Sequence, residues 1–145
     1  MNIHKISNRE VRLDSGEKSI TLSVGFHAAC ELLQFVLDYH SCKDLVYFDI
    51  DGNYLTQGDD DKIVIYCKGT EEKIVVSFFE FSTALCSENK NNMYAWIVPN
   101  YEGTKRRMGE EGITEYMNAH PITLKEKARC ESLIDSIEEI LKRTV

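Results

Sequence analysis

Alternating hydrophobic and polar positions at the start of the chain predict β-strands with one buried face. The alternation is partial over residues 4–13 and regular over residues 19–26, where Ile20, Leu22 and Val24 share one face. The segment "DSGEK" between these two runs has the composition of a turn. This region therefore predicts two strands joined in a hairpin.

The hydrophobic period changes to that of a helix over residues 27–41. A polar stripe recurs there at intervals of three, four and three residues, and it consists of Glu31, Gln34, Asp38 and Ser41. These intervals place the polar side chains on one side of a helix, whereas every other position between 28 and 39 is apolar. The pattern predicts a mostly buried helix that lies across a sheet.

Short β-rich runs separated by polar turns occupy the middle of the chain. The candidate strands are residues 45–50, 54–57, 62–68, 73–81 and 93–99. Short turns join neighbouring strands in antiparallel pairs, which predicts a meander. In the last two runs both alternating faces are apolar, so these strands are expected to be covered on both sides or to line a groove.

The C-terminal part of the chain predicts a charged loop followed by helices. Residues 102–112 have the composition of the loop, and residues 113–120 suit a short helix that ends before a proline. A long amphipathic helix is predicted over about 124–143, because one apolar stripe runs through it. Thr123 and Glu126 have the spacing of a capping box at its start.

Taken together, these elements predict an α+β fold, in which a sheet and helices pack as layers. We expect a mainly antiparallel meander sheet of roughly five to seven strands, one buried helix at about 27–41 and a C-terminal amphipathic helix at about 124–143. A chain of 145 residues is long enough to bury a core within one domain. Residues 1–145 are therefore predicted to form a single globular domain.

The net charge of −7 bears on the kind of partner that the chain binds. Non-specific nucleic-acid binding depends on Lys and Arg side chains that neutralise phosphates, so a nucleic-acid partner is not expected. An acidic surface attracts a basic protein and speeds its encounter. The chain shows neither a secretory apolar region at its N-terminus nor a long apolar stretch, and we expect a cytoplasmic protein without a membrane partner.

Motifs that would indicate an enzyme, a metal site or a cofactor are missing from the sequence. The five cysteines include no C-x-x-C pair, and the four histidines show neither H-x-x-x-H nor H-E-x-x-H spacing. Phosphate-binding, dinucleotide-binding and G-x-S-x-G patterns are also missing. Cys42 lies near His40, but residues two apart on a helix point to different sides. We expect reduced cysteines, no metal, no cofactor and no enzymatic activity.

Five aspartates lie between two apolar runs in the segment YFDIDGNYLTQGDDDKIVIY. An EF-hand calcium loop that began at Asp49 would take oxygen ligands from Asp49, Asp51 and Asn53. Its sixth position needs glycine but is Tyr54, and its twelfth needs glutamate but is Asp60. Because the flanks also have the pattern of strands, we do not expect a calcium site.

Two interpretations of this acidic segment remain. Gly52, Asn53 and Gly58 suit hairpin turns, in which aspartates only hydrate the turns and bond nearby amides. Alternatively, both turns project from the same region and form one carboxylate cluster, whose repulsion a cationic partner would relieve. The candidate partner-binding residues are the aspartates and one aromatic anchor: Asp49, Asp51, Tyr54, Asp59, Asp60 and Asp61.

A second feature combines aromatic and basic residues. It consists of Tyr94, Trp96 and Tyr101, followed by the basic triplet Lys105, Arg106 and Arg107. Such a series suits base stacking with phosphate contacts, or a protein contact, for which Tyr, Trp and Arg are common anchors. The acidic total charge favours instead a tryptophan in the core and a solvated basic loop.

The sequence features together favour a binding protein over an enzyme. We predict a small acidic cytosolic inhibitor or immunity protein that binds and neutralises a basic protein partner such as a nuclease toxin, because a complementary acidic face suffices for this task. The alternative is a small-ligand-binding or regulatory α+β module without catalysis, in which the apolar strands and the buried helix surround a pocket. An enzyme without a recognisable motif ranks third.

Overall fold

The computed structural model describes residues 1–7, 10–23, 28–42, 44–98 and 100–144. The strands in these ranges are β1 (Asn2–Ser7), β2 (Glu10–Ser15), β3 (Lys18–Ser23), β4 (Val46–Phe48), β5 (Tyr54–Gln57), β6 (Lys62–Tyr66) and β7 (Lys73–Ser77). The helices are α1 (Ala28–Asp38), α2 (Phe78–Asn91), α3 (Met93–Ile97), α4 (Tyr101–Ala119) and α5 (Pro121–Thr144). The predicted α+β class is confirmed.

The N-terminal sheet has the strand order β1-β2-β3 and is antiparallel throughout. The predicted hairpin is confirmed at its turn, where Gly16 has a φ of 64° that glycine adopts without the steric cost of a Cβ. The single strand predicted over residues 4–13 is wrong, because β1 and β2 pair with each other. Residues 7–10 are four consecutive polar residues, which favour a reversal over a continued strand. The end of the second predicted strand, residues 24–26, lies outside the described residues.

The second sheet is an antiparallel meander with the order β4-β5-β6-β7, and its first three strands confirm the prediction for residues 45–68. The prediction of one sheet is wrong, because the described strands form two sheets, and β3 lies at one end of the second sheet. Lys18 Nζ donates to the carbonyl of Lys73 (3.2 Å), and the N–H of Ile50 donates to the carbonyl of Ser23 (2.9 Å). Local contacts of this kind, instead of a strand ladder, join the two sheets.

The strand predicted over residues 73–81 ends at Ser77, and the chain continues as α2. Ser77 is the N-cap of this helix, and its side chain accepts a hydrogen bond from the N–H of Glu80 (3.0 Å). Ser-x-x-Glu is the spacing of a capping box, and Phe81 and Leu85 then lie one turn apart and are buried. The aromatic residues favour a strand, but the cap and the helical period decide the structure.

The strand predicted over residues 93–99 is also wrong, because its first part forms the short helix α3. Pro99 lies outside the described residues. Trp96 and Ile97 are buried, and adjacent apolar residues can both be buried when a short helix is surrounded by protein. Of the two strands expected to line a pocket with α1, the first is shortened to Lys73–Ser77 and the second is replaced by α3.

The residues predicted as a charged loop, 102–112, belong to α4. This helix is interrupted at Gly109, whose φ of 69° and ψ of −170° form a conformation that is essentially restricted to glycine. The predicted C-terminal helix is confirmed as α5, although it begins at Pro121, a residue type that suits the first turn of a helix. The capping box at Thr123 is therefore wrong, since Thr123 lies inside the helix.

The core lies between the helices and the inner faces of both sheets. α5 packs against α1, α2, α3 and α4, and one cluster of buried side chains joins Leu13 of β2, Leu55 of β5 and Leu33 of α1. α1 confirms the predicted buried helix, although it ends at Asp38 and His27 lies outside the described residues. The helices thus cover one face of the second sheet and leave its other face to solvent.

Candidate functional site

The four-stranded sheet presents one face to solvent, which we call the outer face. Its side chains form two rows across the strands: Val46, Thr56, Val64 and Val75, and beside them Phe48, Tyr54, Tyr66 and Lys73. Side chains alternate along a strand, so the intervening Leu55, Ile63 and Ile65 point to the core and are fully buried. The solvated face of such a sheet usually carries polar residues, whereas apolar and aromatic residues dominate this one.

The aromatic row is the most distinctive part of the outer face. The ring centroids of Phe48 and Tyr54 are 5.6 Å apart, and those of Tyr54 and Tyr66 are 4.6 Å apart with an interplanar angle of 17°. Phe48 is 65% exposed and Val75 is 51% exposed. Contiguous apolar surface of this kind is typical of protein contact sites, in which Tyr and Phe are enriched.

The first acidic turn, residues 49–53 between β4 and β5, is built around Asp49, which is only 8% exposed. One carboxylate oxygen of Asp49 accepts the N–H of Asn53 (2.7 Å), and the other accepts the N–H of Ser23 (2.9 Å) and Asn53 Nδ2 (2.9 Å). All three donors belong to the chain itself. The Asp49 carboxylate is thus engaged within the fold, where it fastens the turn to the end of β3.

Two neighbours of Asp49 extend this network. Asp51 is exposed, and its carboxylate accepts a hydrogen bond from Ser23 Oγ (2.5 Å). Asn53 Oδ1 accepts the N–H of Lys68 (2.8 Å), and Asn53 Nδ2 lies 3.4 Å from the carbonyl of Thr21. The first acidic turn therefore connects β3 with the β6–β7 turn, and it fixes one end of the outer face.

The second acidic turn, residues 58–61 between β5 and β6, carries the exposed Asp59, Asp60 and Asp61. Asp60 and Asp61 have φ values of 52° and 55°, in the left-handed region that Asp tolerates better than most residues. The carbonyl of Asp61 accepts the N–H of Phe78 (2.7 Å), and its carboxylate lies 3.2 Å from His40 Nε2. The backbone of this turn is therefore held in place, while the side chains of Asp59 and Asp60 are exposed and the exposed Asp61 carboxylate contacts His40.

The two acidic turns lie at opposite ends of β5, because each strand of a meander reverses the direction of the one before it. β5 has four residues, which span about 13 Å at roughly 3.3 Å per residue. The Debye length is about 8 Å at physiological ionic strength, so the two groups of charges act separately. The expected single carboxylate cluster is wrong, and Tyr54, at the start of β5, lies on the face between the turns.

The aromatic and basic series near α4 is divided by the fold. Trp96 is buried, whereas Tyr94 and Tyr101 stack in parallel with centroids 6.5 Å apart. Lys105 Nζ lies 5.7 Å from the centre of the Tyr101 ring, within the range of a cation–π contact. The prediction that the tryptophan lies in the core is confirmed. Trp96 is therefore not available to stack on a base. The basic triplet Lys105, Arg106 and Arg107 lies exposed on the first half of α4 instead of in a loop.

Candidate nucleophiles and metal ligands are not assembled in the described part of the chain. His40 packs against the ring of Phe78 (4.6 Å) and faces Asp61 instead of Cys42. Burial, followed by the charge of Glu138, raises the pKa of Cys86 to about 12, which disfavours the reactive thiolate. Within the described ranges no three His, Cys, Asp or Glu side chains are grouped to hold a metal ion. The helices described there all lack the combination of length and apolar composition that a membrane crossing needs.

Comparison with known proteins returned no match, whether to a protein family, to a curated protein or to a solved structure.

Sequence reasoning found Tyr54 but missed the other members of the outer face. Phe48, Tyr66 and Val75 lie on different strands, and along each strand their neighbours point to the other face of the sheet. The register that brings them to one face is set by turns of different lengths. The run over residues 73–81 is apolar on both sides, which favours burial of both faces, so an exposed face of this sheet was not predicted. A signal was available in the mixed aromatic and β-branched composition, which suits cross-strand pairs on a half-exposed sheet.

Proposed function

We propose that the chain is an inhibitor or immunity protein that binds a basic protein partner, such as a nuclease toxin, through the outer face. The observation that supports this function is the aromatic row on the outer face between two acidic turns, in which Phe48 is exposed and Tyr54 and Tyr66 are half-buried. Aromatic anchors within a polar rim are the common anatomy of a protein interface. The net charge of −7 favours a partner of opposite sign.

The residues of this surface have separate parts in the proposed contact. Asp59, Asp60 and Asp61 at one end, and Asp51 at the other, offer exposed carboxylates to Lys and Arg side chains, with which charged groups form strong hydrogen bonds. Asp49 supports the surface from within, because its carboxylate is occupied by backbone and side-chain donors of the chain.

Tyr54 is suited to the role of an anchor. Its ring is already stacked on Tyr66 and contacts Phe48, so little side-chain freedom is lost when a partner covers it. Ordering a flexible side chain at an interface costs about 0.5–1.5 kcal/mol, and an ordered ring avoids much of this cost. A surface of this kind needs no chemistry of its own to inhibit, since covering the basic active site of the partner is sufficient.

Affinity capture from the native host tests the proposal. We expect the chain to retain a basic protein at roughly 50 mM salt and to release most of it at roughly 300 mM, because the Debye length falls from about 14 to about 6 Å over this range. The triple variant Asp59→Asn, Asp60→Asn and Asp61→Asn should weaken retention at low salt. The single variant Phe48→Ser should weaken retention at both salt concentrations, because it removes apolar contact area.

Matched control variants show whether a loss of binding comes from the outer face itself or only from the change in net charge or exposed apolar area. Glu110→Gln, Glu111→Gln and Glu115→Gln change the net charge equally on exposed positions of α4, and Ile122→Ser removes a side chain that is 71% exposed. These controls should bind like the wild type. Binding that is equally weakened by the matched variants, or capture of an acidic protein only, would contradict the proposed function.

A further inference from the structure

β4 lies at the edge of the second sheet, and its outer backbone N–H and C=O groups face no other strand among the described residues. The sheet order places β5 on one side of β4 and no described strand on the other. The N–H of Asp49 bonds the carbonyl of Asn53 directly opposite (2.9 Å), which fixes the phase of the antiparallel ladder. In that phase the N–H and C=O groups of Tyr47 face β5, whereas those of Val46 and Phe48 face away from it.

The other edge of the sheet differs from β4. The carbonyl of Lys73 in β7 accepts a hydrogen bond from Lys18 Nζ of β3 (3.2 Å), and α2 begins directly after Ser77. Proteins commonly cover or blunt an exposed edge because it can pair with another chain. Within the described residues no such cover lies over the edge of β4, whose side chains Val46 and Phe48 are 41% and 65% exposed.

A groove of about 330 Å³ runs between this edge and α1. Phe35 of α1 and Tyr47 of β4 lie in it, with their rings 6.4 Å apart in an edge-to-face arrangement. Glu31 and Asp38 of α1 line the groove as well. The volume lies at the low end of ligand sites and suits a few side chains of a peptide.

The charge of the groove is negative. The carboxylate of Asp38 accepts a hydrogen bond from Gln34 Nε2 (3.1 Å), and Arg129, the cation in the lining, lies 3.4 Å from Gln34 Oε1. Glu31 is exposed. Burial is the main cause that raises the pKa of the Tyr47 hydroxyl, and the nearby charges of Glu31 and Asp49 raise it further. Two carboxylates against one guanidinium favour a cationic ligand.

We propose that an extended basic segment of the partner adds to β4 as a further strand and lies in the groove beside α1. Its backbone would bond the outward N–H and C=O groups of Val46 and Phe48, which is the known mode of strand addition. Alternate side chains would point toward α1, with an apolar one over Phe35 and a Lys or Arg beside Glu31. The inference rests on the proposed function for the identity of the ligand, and it adds the way in which that ligand is held.

Amide hydrogen exchange followed by NMR tests this binding mode. The probe is a short end-blocked peptide of alternating lysine and valine. At ten times its Kd, roughly one molecule in eleven remains free, so exchange at the amides of Val46 and Phe48 should slow about tenfold. The amide of Tyr47, already bonded to β5, serves as the internal reference. The same peptide with an N-methyl group on every residue keeps its charge but has no backbone N–H on either edge to complete the ladder, and it should leave both amides unprotected.

Variants at Val46 provide a second test. Val46→Pro removes only an outward N–H, so the β4–β5 pairing should survive, because proline is tolerated on edge strands. Val46→Thr keeps the backbone N–H and has a side chain of nearly the same size and shape. We expect Val46→Pro to weaken peptide binding at least about tenfold and Val46→Thr to bind within about twofold of the wild type. Equal binding of the N-methylated and unmodified peptides, or protection of neither amide at saturation, would overturn strand addition.

The outcomes separate this inference from the proposed function. Salt-sensitive capture of a basic protein that Val46→Pro does not weaken would leave the proposed function standing and remove strand addition. Protection of Val46 and Phe48 by the basic peptide, together with failure to capture any basic protein, would establish the groove and refute the inhibitor. Protection by a peptide of alternating glutamate and valine, but not by the lysine peptide, would refute the predicted charge of the ligand.

Discussion

Replacing Asp49 with asparagine tests whether the first acidic turn is held by a buried charge. Asparagine has nearly the same size, but one of its two terminal groups donates hydrogen bonds instead of accepting them. The carboxylate of Asp49 accepts three N–H bonds, two from Asn53 and one from Ser23. If the amide oxygen keeps the bonds to Ser23 and to the Asn53 side chain, the new NH₂ group faces the backbone N–H of Asn53, which loses its acceptor.

The expected cost follows from these contacts. A buried N–H without an acceptor costs about 1–3 kcal/mol, and each of the two remaining bonds loses about 0.5 kcal/mol when its acceptor is no longer charged. We therefore expect Asp49→Asn to lower the free energy of unfolding by about 2–4 kcal/mol. At about 2–4 °C per kcal/mol for a chain of this size, the Tm should fall by about 4–16 °C.

Urea denaturation followed by circular dichroism measures this loss, with Asp51→Asn as the matched control. Asp51 is exposed, and among the described residues its carboxylate accepts a hydrogen bond from the hydroxyl of Ser23, so its replacement should cost less than about 1 kcal/mol. Equal stability of Asp49→Asn and the wild type, within about 0.5 kcal/mol, would show that the hairpin holds the turn without the carboxylate.

Three further changes have outcomes that follow from single observations. Ser77→Ala removes the N-cap of α2 and should lower the free energy of unfolding by about 1 kcal/mol in urea denaturation. Gly109→Ala places a Cβ at φ 69° and ψ −170° and should cost about 1–3 kcal/mol, measured in the same way. Iodoacetamide at pH 8 should label the exposed Cys42 and spare the buried Cys86, as read by mass spectrometry, because a thiol with a pKa of about 12 is ionised in about one molecule in ten thousand at that pH. The pKa of Cys86 rises from a reference value of 9.0, which stands for the unfolded chain, to about 12 in the folded protein. The protonated thiol therefore stabilises the fold fully below pH 9, and this contribution should be lost as the pH rises toward 12.

The controls for these changes lie close to them. Ser87→Ala, in the middle of α2 and exposed, should keep or slightly raise stability, because alanine favours a helix more than serine. Glu110→Ala, next to the bend in α4, should change stability by less than about 0.5 kcal/mol. A loss at Ser87 equal to that at Ser77, or a stabilised Gly109→Ala, would contradict the cap and the bend. Labelling of Cys86 at the same rate as Cys42 would contradict its burial.

The sequence predicted the fold best where one local signal acted without competition. Regular alternation and turn residues identified β3, β5 and β6, and one polar stripe identified α1. At Ser77 two signals competed, since aromatic residues with high strand propensity follow a serine and precede Glu80 at capping distance. A hydrogen-bonded cap with buried residues one turn apart outweighs a strand propensity, which mainly reflects packing on a pleated surface.

The division into two sheets was beyond pattern reasoning, because it depends on contacts between distant residues. β3 and the first acidic turn are joined by Ser23, which lies 26 residues before Asp49 in the chain. Neither residue marks this contact by its type, since Asp is common in turns and Ser in strand ends. The same contact explains why Asp49 is buried, although the sequence predicted it at a partner surface.

The meeting of α1 and α5 has a consequence for how the protein is made. Cys30 Sγ approaches the carbonyl of Glu126 at 3.6 Å, and these residues lie 96 positions apart in the chain. At roughly 5–20 residues per second, about 5–20 s pass on the ribosome between the synthesis of one helix and that of the other. During that interval the apolar side of α1, including Leu32, Leu33 and Val36, has no partner from α5. Each nascent chain therefore exposes this apolar side of α1, or covers it with other segments, until α5 has been synthesised.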